Sequence, residues 1–68
     1  GGRLGTLTVI VQPFGDVWIQ GRHAGSRRVT RRLPAGDYTV GGGRLGRPTQ
    51  TRLVHVSANE TTTVRLQL

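Results

Sequence analysis

Leu33-Pro34-Ala35-Gly36-Asp37-Tyr38-Thr39-Val40 is the stretch that decides the fold. Pro34 presets φ for a turn, and Gly36 is free to take positive φ. Tyr38 and Val40 then fall on one face of an extended chain, so the segment predicts strand, turn, strand. The same period of two runs outward in both directions. Upstream, Leu7, Val9 and Val11 alternate with Thr6, Thr8, Ile10 and Gln12, the pattern of a half-buried strand. Pro13-Phe14-Gly15-Asp16 breaks it, and Val17 and Ile19 open a second inward series with Trp18 and Gln20 opposite. Two inward series about a four-residue turn predict a hairpin.

Gly21 to Ser26 is expected as a loop. Arg27 to Leu33 is a poorer strand, because Arg31 shares a face with Val29 and Leu33. Burying that guanidinium without a partner is costly, so a bulge, a sheet edge or a snorkelling side chain is expected there. Downstream, Gly41-Gly42-Gly43-Arg44-Leu45-Gly46-Arg47-Pro48 is expected to be the most flexible stretch. Val54 and Val56 share a face with Arg52, and Leu53 and His55 take the other. Ser57-Ala58-Asn59-Glu60 forms a turn in which Asn59 enters the left-handed region at low cost. Thr61-Thr62-Thr63 opens a last strand with Val64, Leu66 and Leu68 inward. Six strands and no helix are counted, and no window carries apolar residues at helical spacing. The expected architecture is a small all-β, six-to-seven-stranded antiparallel β-sandwich, prealbumin/immunoglobulin-like.

Size and composition narrow the function. The chain has 68 residues, ten Arg, no Lys, three acids, no Cys and no Met, with a formal charge of +7. This length holds one small domain and excludes a two-domain enzyme or a doubly wound nucleotide-binding fold. Without Cys there is no disulfide and no thiolate metal site. No run approaches a membrane helix, so no membrane insertion is expected. The lack of Met suggests a piece of a longer protein, with residues 1–4 as a linker or cloning remnant and 5–68 as the domain.

Three stretches resemble the bacterial PEGA domain. Pro13-Phe14-Gly15-Asp16 and Val17-Trp18-Ile19-Gln20-Gly21 stand where that family has its name-giving turn and V-x-I-D-G strand. Leu33 to Val40 is similar to its L-P-A-G-x-Y-x-V hairpin, and Val54 to Thr61 to its V-x-V-x-A-G-E-T turn. Phe14 and Asp16 replace Glu and Ala of the name motif, and Gln20 replaces Asp. The triple glycine falls where the family continues its fourth strand. The resemblance implies a β-sandwich without catalytic activity, appended to a bacterial serine/threonine kinase or a cell-envelope protein.

Residue chemistry points the same way. Only Asp16, Asp37 and Glu60 are available for acid–base work, and the first two sit in turns. Ser26 or Ser57 with His23 or His55 lacks an orienting acid and a nucleophile turn. Gly41 to Gly46 fits G-x-G-x-x-G in letters, but Pro48 denies the helix that pyrophosphate binding needs. His23 and His55 have no metal-ligand spacing, and no cofactor or metal is expected. Arginine is the main lead, since it grips phosphates and carboxylates bidentately. Arg27, Arg28, Arg31 and Arg32 lie within six positions. The expected binding residues are Trp18, as an outward platform, with Arg28, Arg31 and Arg32. Their expected partner is an acidic protein face or an envelope polymer. A nucleic-acid-binding β-domain and a structural spacer are the alternatives. The competing explanation for the arginines is edge protection. For Trp18 it is cross-strand packing, beside Ile10.

Overall fold

A computed structural model describes residues 3–44 and 46–68. Seven strands and no helix are present among them: β1 Leu4–Gln12, β2 Asp16–Ile19, β3 Arg22–Ser26, β4 Arg28–Pro34, β5 Gly36–Gly43, β6 Gln50–Val56 and β7 Thr61–Gln67. They form a three-stranded sheet, β4-β1-β7, and a four-stranded sheet, β3-β2-β5-β6. The small all-β sandwich is therefore what the chain adopts. Within it, β1 and β7 run parallel, while the other pairs are antiparallel.

The alternation fills the core as expected. Leu7, Val9, Val11, Val17, Val29, Val40, Val56, Val64 and Leu66 meet between the sheets, and Tyr38 and Leu33 pack against them. The Tyr38 hydroxyl donates to the Pro34 carbonyl at 2.6 Å, which satisfies the polar end of a ring whose body is half-buried.

Pairing partners differ from the local reading. The predicted β1–β2 hairpin does not form, because the turn at 13–15 carries the chain from one sheet to the other. The turn at Ala35 between β4 and β5 also changes sheet, so the Leu33–Val40 segment is a corner rather than a hairpin. Residues 22–26 are a strand, not a loop. Gln20 and Gly21 have φ of 53° and 78°, the positive pair that a two-residue hairpin turn requires. The register shifts between Val17 and Trp18, so the bulge lies on the β2–β3 pair. None interrupts β4, whose pairing runs unbroken from Leu4↔Pro34 to Ile10↔Arg28.

The triple glycine is strand, and it extends β5 to Gly43. A Cβ on inward-facing Gly42 would stand 2.9 Å from a Val11 methyl and 3.0 Å from a Leu66 methyl. Glycine there sets the close approach of the two sheets. A Cβ on Gly43 would strike the Arg47 carbonyl, and one on Gly41 would lie 3.0 Å from Pro48 Cβ. The segment after β5 thus folds back onto its outer face, and Thr49 N–H donates to the Gly42 carbonyl at 2.9 Å. At the start of the chain, β1 takes in Leu4, and the Arg3 carbonyl accepts from Ala35 N–H. These two residues belong to the fold, not to a linker; Gly1 and Gly2 lie outside the described residues.

Candidate functional site: the outer face of the three-stranded sheet

Strands β4, β1 and β7 point their core residues inward, and the register fixes what faces out. Arg32, Thr6 and Thr61 form one cross-strand row; Thr30, Thr8 and Thr63 the next; Arg28, Ile10 and Arg65 a third. Arg28 and Arg65 flank Ile10 at about 10 Å, two strand spacings apart. Arg28 and Arg32 stand about 13 Å apart along β4. All three arginines are exposed, and Ile10 between two of them is half-buried, where aliphatic arginine stems pack well. At the centre, the Thr8 and Thr30 hydroxyls lie 3.3 Å apart, and Thr8 is 6% exposed.

The charge on this face is one-sided. None of its three strands contains Asp or Glu. Among the described residues no arginine forms a salt bridge; Asp16 pairs with His23 at 3.5 Å and Asp37 with His55 at 2.8 Å. Both pairs belong to the four-stranded sheet, on the opposite side of the sandwich. They are exposed His–carboxylate contacts, and neither is hydrogen-bonded to a serine among the described residues. No cluster of three metal-ligating side chains occurs among those residues.

Of the residues expected to bind, the structure brings Arg28 and Arg32 onto one face. It places Arg31 elsewhere. Arg31 follows Val29 on the core side of β4, and β4 is a sheet edge, so its side chain escapes sideways. Its Nη2 donates to the Ala24 carbonyl of β3 at 2.6 Å, closing the gap between the two sheets. The other open side is closed in the same manner: Thr62 Oγ1 donates to the His55 carbonyl and Gln50 Nε2 to the Gln67 carbonyl. Side chains bonded across an edge occupy groups that would otherwise recruit another strand.

Trp18 corrects the expectation of an outward platform. It lies on the outer face of the four-stranded sheet, away from Arg28 and Arg32, and is 7% exposed. His23 meets its ring edge-on, with centroids 5.5 Å apart and planes at 82°. On its other side it pairs in register with Gly41, the residue Pro48 covers. Ile10 is not its neighbour, because Ile10 is on the other sheet. Arg65 was missed by local reading. Alternation with Val64 and Leu66 turns it outward, but only the parallel β1–β7 pairing sets it beside Ile10 and across from Arg28.

The arrangement offers three guanidinium groups and a field of hydroxyls on a regular sheet. Chemically it suits a broad anionic surface rather than an enclosed small molecule. No family model matches the chain, and no curated protein or solved structure matches it.

Proposed function

We propose that this chain is a non-catalytic binding module that meets an acidic protein face or an anionic envelope polymer through Arg28, Arg32 and Arg65. The observation that carries this reading is the gathering of three exposed arginines on a sheet face whose strands hold no carboxylate. All three sit on the two edge strands of the sheet, β4 and β7, but the register turns them onto one outward surface with Ile10 and the threonines between them. The resemblance of its turns to the PEGA domain supports a module appended to a larger bacterial protein, a serine/threonine kinase or an envelope protein.

The nucleic-acid alternative draws less support. Such modules interleave basic residues with stacking aromatics, and none of the three aromatics lies among these arginines. Trp18 is buried on the opposite side, Tyr38 packs against the core, and Phe14 sits at a turn. Titration with a poly-glutamate peptide, a poly(glycerol phosphate) and a DNA duplex at low and high salt tests the reading. Either of the first two should bind, and the Arg28→Gln/Arg65→Gln double variant should weaken binding by about tenfold or more, the loss of charge-assisted contacts. Binding of the duplex alone, with a salt slope near −0.9 per phosphate contacted, would move the assignment to nucleic acid. Binding of none of the three would leave a spacer.

A further inference from the structure

We propose a second site: the corner cleft lined by Phe14, Asp16, Ser26, Arg27 and Arg44 binds a carboxylated sugar unit. It does not rest on the sheet-face reading. The cleft is an open surface depression with a volume of about 450 Å3, room for a sugar unit that stays partly exposed to solvent. Hydrogen bonds fix its walls before any ligand arrives. Arg27 N–H donates to the Gly15 carbonyl at 2.8 Å, and the Arg27 carbonyl accepts from Val11 N–H at 2.7 Å. Arg44 Nε donates to the Phe14 carbonyl at 3.3 Å, and its guanidinium lies 4.2 Å over the Phe14 ring. Preorganised walls lower the ordering cost of binding.

Arg27 is the telling residue. It has φ of 65°, a region that disfavours any side chain and that glycine enters freely. The backbone bonds on both sides of it require that conformation as the chain leaves β3 for β4. They do not require an arginine. What arginine adds over glycine is a guanidinium at the cleft, and an unusual backbone residue of this kind is a pointer to function. Among the described residues, the Arg27 guanidinium and the Nη ends of Arg44 have no hydrogen-bond acceptor. Two such groups offer bidentate sites to a carboxylate.

The other lining groups choose among anions. Phe14 is 55% exposed, and the ring surface that Arg44 leaves uncovered presents carbon to the C–H face of a sugar. Ser26 gives a hydroxyl, and Asp16 brings carboxylate oxygens that accept only from a donor. Inorganic phosphate keeps a P–OH donor at neutral pH, but it brings more negative charge beside Asp16 than a single carboxylate does and has no C–H face to lay on Phe14. A hexuronate supplies a carboxylate for the arginines and hydroxyls for Asp16 and Ser26.

Digalacturonate, maltose and inorganic phosphate, each titrated into the isotope-labelled chain by NMR, test this directly. Digalacturonate should shift the amides of Gly15, Ser26 and Arg27, with maltose and phosphate each binding at least about tenfold more weakly. Arg27→Gly should keep the melting temperature and weaken digalacturonate by a similar factor. Arg44→Gln supplies the same readout from a position outside the strands. The Arg28→Gln/Arg65→Gln variant should bind digalacturonate as the parent does, so the cleft and the sheet face stand or fall separately. Absence of shifts at millimolar digalacturonate, phosphate binding as tight as digalacturonate, or full affinity in a folded Arg27→Gly chain would each overturn the proposal.

Discussion

The two outer faces of this sandwich start from the same alternation of side chains and end differently. On the four-stranded sheet, the chain after β5 lies back over Gly41 and Gly43, and Trp18 beside them is 7% exposed. On the three-stranded sheet nothing from the described residues folds over Arg28, Arg32 and Arg65, which stay exposed. A chain of 68 residues has a small core, so a face covered by its own chain adds burial that a single layer between two sheets lacks. On the open face, structural duty falls to the Thr8–Thr30 contact and not to the arginines. Substitutions on the covered face should therefore cost stability, and those of the open-face arginines should cost binding.

Gly43→Ala should break the comparison most severely. Its new Cβ would meet the Arg47 carbonyl, Thr49 N at 2.7 Å and Pro48 Cα at 2.9 Å, all backbone atoms that cannot rotate away. A loss of about 3 kcal/mol or more is expected, at the upper end of overpacking costs, read as the shift in urea midpoint. Trp18→Ala should follow at about 3 kcal/mol, seen as a melting temperature lowered by more than about 10 °C. Because Trp18 is the only tryptophan, its fluorescence reports the same burial, and strong quenching by iodide in the parent would contradict a covered face.

Smaller effects sharpen the open face. Thr30→Val leaves the Thr8 hydroxyl, 6% exposed, without its partner at 3.3 Å. A loss of about 1 kcal/mol is expected, the cost of a buried unpaired hydroxyl offset by the strand preference of valine. The Arg28→Gln/Arg65→Gln variant should stay within about 0.5 kcal/mol of the parent by thermal melting. A larger loss would show that these arginines hold the sheet together, and the contrast between the two faces would fail.

Much of the fold was legible residue by residue. The two-residue period alone places Leu7, Val9, Val11, Val40, Val64 and Leu66 inward, and all six are buried. The Ser57–Glu60 turn predicts a left-handed Asn59, whose φ is 62°. Alternation makes Arg31 a misfit in its strand, and it lies at a sheet edge. The site was only half legible. Arg28 and Arg32 share a face by being four residues apart on one strand, whereas Arg65 joins them through a pairing of Thr6 with Thr61. No local pattern encodes a contact over that separation. The cleft gathers residues 14, 27 and 44 from three segments and left no motif to read. β3 has no local signature, because Arg22-His23-Ala24-Gly25-Ser26 has no apolar alternation; hydrogen bonding to β2 makes it a strand.

The sequence by itself determined that this chain is all-β, where its strands of alternating side chains run, and which side chains enter the core. Those properties depend on neighbours one or two residues away, through backbone sterics and the two-residue period of an extended chain. Only the tertiary structure decided which strands pair, that β1 and β7 run parallel, and that the turns at 13–15 and at Ala35 change sheets. It also decided that three glycines form a strand beneath a returning segment, and that Trp18 is covered while Arg65 is presented. Each of these follows from contacts distant in the chain, where close packing of side chains selects one arrangement from several that local preferences allow equally.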